Sequence, residues 1–325
     1  MRAALYRSLG DAHDVFEIAE IETPTPGPGE VRVKVVYSAV NPTDWKARRG
    51  KRSPDMPFPY VVPNQDGSGV IDMVGPGVDG RRLGENVWVW FAAAGRQHGT
   101  AAEYVCLPEH QAVRLPEGAT LELGACLGVP AMTAHRCLFW DGPIEGRTIL
   151  VTGGAGAVGH YTIELAKRAG ARVVTTVSSD EKAAMARAAG ADTVIDYTAG
   201  DPVTGIRVAA PGGVDRIIEL ALTTNLELDL AVAAPGATIV TYTTESELPT
   251  LPVFRLMAAN LTLRFMLLYG VPTEALMLAV HDVTAAVADG ALTELPLHRF
   301  PLERMADAHA AVEAKAVGKV VVEFP

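Results

Sequence analysis

Residues 147–159 read RTILVTGGAGAVG, and this stretch decides the fold. Arg147–Thr152 is a short apolar run of strand length, and Val158–Ala169 behind it keeps helical spacing up to Gly170. Between them Gly154, Gly156 and Gly159 stand in G-x-G-x-x-G register. A lone match is weak in a chain with 31 glycines. One that leaves a strand and opens a helix has the context a dinucleotide site needs. In that arrangement Gly154 permits the tight turn, Gly156 lets the backbone approach a pyrophosphate, and Gly159 lets helix pack on strand. Ala157 and Val158 then lie at the helix N-terminus, where free N–H groups and the positive dipole end meet the phosphates.

Toward the C-terminus the alternation continues. Strands are expected at Arg172–Val177, Thr193–Asp196, Val214–Leu220 and Ala237–Tyr242, with helices at Asp180–Ala189 and Leu226–Ala234. Strands alternating with helices imply a parallel sheet covered on both faces. Leu220 and Tyr242, at the ends of two of these strands, join the expected cofactor residues. The choice of dinucleotide falls at the end of the strand after the loop. An NAD site usually holds Asp or Glu about 20 residues past the loop, on the ribose 2′-hydroxyl. Here the strand ends Thr175-Thr176-Val177-Ser178-Ser179, and Lys182 follows. The hydroxyls of Ser178 and Ser179 with the Lys182 cation suit a 2′-phosphate, which makes NADPH the expected cofactor. Asp180 is the competing reading: shifted by two residues it would hold the ribose, and otherwise it or Ser179 caps the helix.

Toward the N-terminus the pattern is β-rich. Glu30–Val36 alternates as a half-buried strand, and Gly69–Val74 and Asn86–Trp90 read as further strands. Turn signals PTPGPGE at 24–30 and GPGVDG at 75–80 separate them, and helical periods are absent until about residue 121. Beyond a short strand at Leu261–Met266 come helices at Thr273–Asp289 and Glu303–Ala314 and a strand at Lys319–Phe324. The fold class expected is α/β: a doubly wound parallel sheet with a second, β-rich domain.

Composition bounds the function. At 325 residues two domains are natural. The 28 Lys and Arg against 38 Asp and Glu leave a charge of −10, and the pI is near 5.3. That balance argues against a nucleic-acid partner, which needs clustered cations. Cys106, Cys126 and Cys137 are odd in number and lack C-x-x-C spacing, so no disulfide framework or thiolate zinc site is expected. No apolar signal segment follows the first residues and no run of about 18 apolar residues occurs. The expectation is a soluble cytoplasmic protein with no membrane association.

Several ordered motifs carry a family likeness. They are SAVNPTDWKARRG at 38–50, PYVVPNQDGSGVIDMVG at 59–75, GTAAEYV at 99–105, LGVPAMTAHRCL at 127–138, VTGGAGAVG at 151–159, SSDEKAAMARAAGADTVIDY at 178–197 and AVGKVVVEF at 316–324. From Met1 to Pro325 the chain resembles the quinone oxidoreductase (zeta-crystallin-like) branch of the zinc-free medium-chain dehydrogenase/reductase superfamily. The resemblance implies a GroES-like catalytic domain over 1–123 and 266–325 flanking a Rossmann domain over 124–265, with the cofactor between them. It implies that Ser179, Lys182 and Tyr197 contact a 2′-phosphate, that Thr133 lies near the nicotinamide, and that Phe265, Met266 and Leu267 run past its carboxamide. Three features depart from the family pattern: Asp180 is acidic beside the phosphate, TYTTE at 241–245 lacks a glycine after Tyr242, and no C-terminal arginine is evident, with Lys315 or Lys319 as substitutes.

Zinc members of the superfamily need a Cys and a Gly-His-Glu segment. Here Asp44 stands at the first place and Asn64-Gln65-Asp66 at the second, and the eight histidines pair with no cysteine at ligand spacing. No metal is expected. Without a Lewis acid, reduction of an electron-poor acceptor is favoured over alcohol oxidation, because the resulting enolate needs only hydrogen-bond donors. The candidate catalytic residues are Asn41, Asp44, Trp45, Tyr60 and Arg264, each with a plainer alternative: helix cap for Asp44, core packing for Trp45, strand residue for Tyr60, surface ion pair for Arg264. Lys46 occupies a place where some relatives carry tyrosine, and His98 is a lone histidine before GTAAEY. The reading is NADPH-dependent reduction of quinones or similar small hydrophobic, electron-poor acceptors. The alternatives are an enone or enoyl reductase and a non-catalytic NADPH-binding protein. A homodimer is expected through Leu261–Met266, with an internal strand as the alternative.

Overall fold

The structure is a computed structural model that describes residues 1–245 and 247–325. The chain forms two compact units, Met1–Val129 with Glu294–Pro325, and Pro130–Thr293. These limits differ from the expected boundaries at 123/124 and 265/266. The second difference is the larger, and side chains account for it. The helix Thr273–Ala288 is tied into the second unit by His135 Nε2 on Asp282 Oδ2 at 2.8 Å, and Arg168 pairs with Asp289 just beyond it. The Thr293 backbone N–H then donates to Glu164 Oε2 at 3.1 Å.

The second unit holds a six-stranded parallel sheet in the order Thr193–Asp196, Arg172–Val177, Thr148–Thr152, Val214–Glu219, Ala233–Thr241, Thr262–Phe265. Numbered along the unit this is 3-2-1-4-5-6, the doubly wound order in which the chain reverses direction beside its first strand. The central strands Thr148–Thr152, Arg172–Val177 and Val214–Glu219 are rich in β-branched residues and buried on both faces, as parallel strands under helices must be, while the two edge strands are partly exposed. Leu150, Val174, Ile206, Ile217, Leu222, Leu226, Val232 and Ile239 form one continuous core. Two helices escape the periodicity reading because they are short: Pro202–Ala209, capped by the Asp201 carboxylate, and Val253–Ala258. The next helix runs Leu222–Val232 rather than from Leu226, and the strand after it starts at Ala233. The Ala-Pro-Gly stretch between carries no alternation to mark it.

In the first unit the strand Glu30–Val40 is the hub. It pairs antiparallel with Asp66–Val74, with Tyr104–Pro108 and with Lys319–Glu323. The last of these explains why the C-terminus belongs to the N-terminal unit. The alternation at 30–36 fades because the register shifts between Val35 and Tyr37, and beyond that bulge Ser38, Ala39 and Val40 are buried in succession, with both faces of the strand covered. Pro42–Arg48 and the four-residue Ala12–Val15 are helices ahead of residue 121, both too short to show a period.

Candidate functional site

The glycine loop leaves the strand Thr148–Thr152 and enters the helix Ala157–Arg168 with Gly156 as N-cap and no capping side chain. The left-handed position is Gly153 (φ 69°), not Gly154. The turn role expected of Gly154 therefore passes to its neighbour. A Cβ on Gly154 would instead overlap Thr175 Oγ1, so this glycine is required for packing against the next strand. At Gly159 a Cβ would overlap the Gly153 carbonyl oxygen and jam the helix against the loop. At Gly156 a Cβ would make only ordinary contact with protein. The interior does not demand glycine there, and a Cβ would fill the cradle over which a pyrophosphate would lie. The loop is stitched to the neighbouring strand by Gly153 N–H and Gly154 N–H on the Thr176 carbonyl, at 3.1 and 3.2 Å.

The residues expected to hold a 2′-phosphate lie at the end of that neighbouring strand. Ser179 is the N-cap of the helix Asp180–Ala188, accepting from Lys182 N at 3.3 Å, so Asp180 is not the cap but the first helical residue. Lys182 Nζ donates to Ser178 Oγ at 2.8 Å, which folds the ammonium back over the strand end. Asp196 pairs with Val177, and the Tyr197 N–H donates to the Val177 carbonyl at 3.1 Å. Tyr197 itself is half exposed. Two hydroxyls and an ammonium thus stand at one strand end, with Tyr197 joined to it through its backbone, a donor set that would fit a phosphate monoester.

The other expected cofactor residues are spread over the same unit. Leu220 packs against Gly153, and its N–H donates to Thr152 Oγ1 at 3.1 Å. Thr133 is buried in the helix Leu121–Phe139. Tyr242 follows its strand, and loss of solvent holds its phenol above the ordinary range. Met266 is buried with its N–H on the Thr241 carbonyl at 2.8 Å, whereas Phe265 and Leu267 are each 64% exposed. Sequence reading missed a buried carboxyl pair beneath the loop. Glu219 ends the strand Val214–Glu219 and accepts from Asn225 Nδ2 at 3.0 Å. Its Oε2 and both oxygens of Asp229 have no donor among the described residues. Two facing acceptors are satisfied when one carries a proton, and loss of solvent together with the Glu219 charge raises Asp229 to keep it there. The sequence carries no signal for it, since Asp229 is one of two acids in a helix that also holds Thr223, Thr224 and Asn225.

In the first unit, Asn41 and Asp44 belong to a buried polar cluster. Asn41, not Asp44, is the N-cap of Pro42–Arg48, and Asp44 reaches back to accept the Asn41 N–H at 2.7 Å. Asn41 Nδ2 donates to Asp66 Oδ2 at 2.7 Å, Val129 N–H donates to the same oxygen at 2.8 Å, and Lys319 Nζ donates to Asn41 Oδ1. Burial pushes Asp44 up to about 7 and Asp66 up to about 6, each held down in part by the Lys319 charge. Lys319 is thereby committed to the interior and is not a substitute for a cofactor-facing arginine; Lys315 is exposed. Trp45 is half-buried, with Lys46 and Lys51 Nζ 5.9 and 5.2 Å from its ring centre. Tyr60 donates to or accepts from His98 Nε2 at 3.0 Å. In the second unit Arg264 is taken up by an ion pair with Asp141 and lies 5.2 Å over Trp140, the surface-pair alternative. Among the described residues no three His, Cys, Asp or Glu side chains converge as a metal site.

Comparison with known proteins fits both units. Residues 27–117 match the alcohol dehydrogenase GroES-like domain, and residues 157–282 match the zinc-binding dehydrogenase domain. The mouse quinone oxidoreductase is 30% identical over 244 residues, covering 74% of this chain and 72% of the mouse protein. The chain belongs to the quinone oxidoreductase branch of the medium-chain dehydrogenase/reductase superfamily. It is an oxidoreductase of that type. Among solved structures, an NAD-dependent alcohol dehydrogenase superposes over the full length of both chains with a TM-score of 0.89 at 29% identity. A mycobacterial protein solved with NADPH does so with a TM-score of 0.86 at 28% identity. Family membership accounts for the Rossmann sheet, the GroES-like unit and the motif order together.

Proposed function

We propose that the chain catalyses NADPH-dependent reduction of quinones and similar electron-poor carbonyl acceptors by hydride transfer without a metal. The observation that carries this reading is the corner at the end of Arg172–Val177, where Lys182 Nζ is held on Ser178 Oγ, Ser179 caps the next helix and the Tyr197 backbone joins Val177. Asp180 is the first residue of the helix that Ser179 caps, and we assign the ribose end to Ser179 and Lys182 in its place. The NADPH complex of the mycobacterial relative supports the same dinucleotide. The glycine loop would hold the pyrophosphate, and bound NADPH would supply a hydride from its nicotinamide.

The protein's own contribution is position and a proton. Asn41 and Asp44 are buried and fully engaged with each other and with Asp66 and Lys319, so we assign them to holding the start of Pro42–Arg48 and its Trp45. Tyr60 is the donor we assign to the acceptor oxygen, since the residue is partly exposed and its hydroxyl has one hydrogen-bond partner, His98, among the described residues. Arg264 is assigned a structural role.

We further propose a homodimer in a reducing compartment, the cytoplasm. Among the described residues Thr262–Phe265 is the last strand of its sheet with one neighbour, and Phe254, Met257, Phe265 and Leu267 at that edge are all more than half exposed. An open edge flanked by apolar side chains is relieved by a two-fold partner. The three cysteines are free thiols, and no helix among the described residues is long and apolar enough to cross a membrane.

The test is NADPH oxidation with 1,4-benzoquinone, 9,10-phenanthrenequinone and a simple enone, with and without a chelator. Chelator-resistant turnover that favours the quinones is expected. Faster enone reduction would make the enone reductase reading correct, and tight NADPH binding with no turnover would make the protein a binder.

A further inference from the structure

The sequence gives no reason to join Arg7, Tyr60 and His98, which lie in three separate segments; the fold does. Tyr6 and Val61 exchange backbone hydrogen bonds of 3.0 and 2.9 Å. On the other side Val62 N–H donates to the Gln97 carbonyl at 2.9 Å and Gly99 N–H to the Val62 carbonyl at 2.7 Å. The contact is so close that a Cβ on Gly99 would overlap the carbonyl oxygens of Pro63 and Asn64. Residues 60–62 are therefore clamped between residues 6–7 and 97–99.

The clamp fixes the Tyr60 ring between two nitrogen-bearing side chains. The His98 ring stacks on it with centres 5.6 Å apart and planes at 27°, and Tyr60 Oη lies 3.0 Å from His98 Nε2. The Arg7 guanidinium lies 5.3 Å from the Tyr60 ring centre and is itself anchored to Glu17 at 2.8 Å. Burial pushes His98 below the ordinary histidine range, so at neutral pH the imidazole is neutral and has a single ring N–H to give. Placed on Nε2, that hydrogen is donated to Tyr60 Oη and leaves the phenol's own hydrogen free for another acceptor. A packing tyrosine needs neither a directed N–H nor a cation on its face.

We propose that His98 and Arg7 are positioning residues for Tyr60, the group that delivers the proton to the acceptor oxygen. This rests on the carbonyl-acceptor reading above. For a conjugated acceptor, hydride from the reduced nicotinamide forms a C–H bond at the conjugate carbon, and the displaced π pair moves to oxygen. The Tyr60 O–H bond breaks as the acceptor O–H forms. The phenolate is held by the His98 Nε2–H and the nearby Arg7 charge until solvent returns a proton, and a quinone product rearomatises to the hydroquinone.

The test is steady-state kinetics with NADPH and the best quinone for the wild type, Tyr60→Phe, His98→Leu, His98→Gln, Arg7→Met and the Tyr60→Phe/His98→Leu double variant. Removing a general acid costs about 100-fold or more in kcat, and removing its support about 10-fold. We expect Tyr60→Phe to show the larger loss and His98→Leu and Arg7→Met the smaller, with acceptor KM changed less than about threefold. His98→Gln, which keeps an N–H donor, should recover most of the His98→Leu loss. In the double variant the loss should equal that of Tyr60→Phe alone, because His98 acts through Tyr60. Wild-type turnover with an unimpaired Tyr60→Phe, or a His98→Leu loss that multiplies with it, overturns this inference and leaves the proposed function standing. A wild type that reduces no acceptor overturns both.

Discussion

Asp44→Asn separates a buried charge from a buried hydrogen-bond acceptor, because asparagine keeps an oxygen for the Asn41 N–H. Loss of solvent around Asp44 is the largest influence on it and outweighs the Asn41 N–H and Lys319, raising its pKa from 3.8 to about 7. Each unit is worth about 1.4 kcal/mol, so the ionised carboxylate costs the folded state about 4 kcal/mol relative to the unfolded chain. The folded pKa lies above the unfolded one. This stability is therefore fully present below about pH 4 and is lost as the pH rises toward 7. Between pH 5 and 8 the wild type should lose about 3 kcal/mol that Asp44→Asn does not lose. Asp66, which itself rises to about 6, is present in both proteins, so its own slope largely cancels in the comparison. Urea denaturation of both proteins at pH 5, 6, 7 and 8 measures the difference. A constant offset, or a variant that falls further behind toward pH 8, would show that Lys319 holds Asp44 ionised throughout and would refute the reasoning.

Gly154→Ala should destabilise the fold by about 1–3 kcal/mol through overlap with Thr175, whereas Gly156→Ala should fold normally and lose dinucleotide affinity; thermal melting and titration calorimetry distinguish them. Lys182→Ala should weaken NADPH binding about tenfold and leave NADH binding nearly unchanged, since only the 2′-phosphate meets the ammonium. Asp229 is raised, so its contribution to stability is present at low pH and disappears as alkali removes the shared proton. Asp229→Asn should accordingly flatten the alkaline limb of the stability curve, read by chemical denaturation from pH 7 to 10. Arg264→Met should lower stability by loss of the Asp141 pair while kcat stays within about threefold of wild type, checked by melting and turnover.

The Rossmann half was legible because each of its devices is local. A strand, a glycine turn and a helix lie within about two dozen residues, and the next strand end, with Ser178, Ser179 and Lys182, follows close behind. Even there the turn moved by one residue, to Gly153, because sequence register alone does not say which glycine takes the positive φ. The β-rich unit was legible in outline only. Its hub strand carries a bulge that breaks the alternation after Val36, and its C-terminal strand pairs with residues nearly three hundred positions earlier. The polar cluster was half legible: Asn41 and Asp44 stood out, but Lys319 reaches them only through that long-range pairing. Tyr60 and His98 read as unrelated residues for the same reason, and Glu219 and Asp229 as ordinary acids on a strand and a helix.

The central claim is that this chain reads the 2′-phosphate and passes a hydride to a quinone. The most direct measurement is the ratio of kcat/KM for NADPH over NADH with a quinone acceptor, for the wild type and for the Ser179→Ala/Lys182→Ala variant. A ratio of at least about 100 that collapses toward unity in the variant is predicted, as expected for loss of two charge-assisted contacts. A wild-type ratio at or below unity would contradict the account and make Asp180 the residue that reads the ribose.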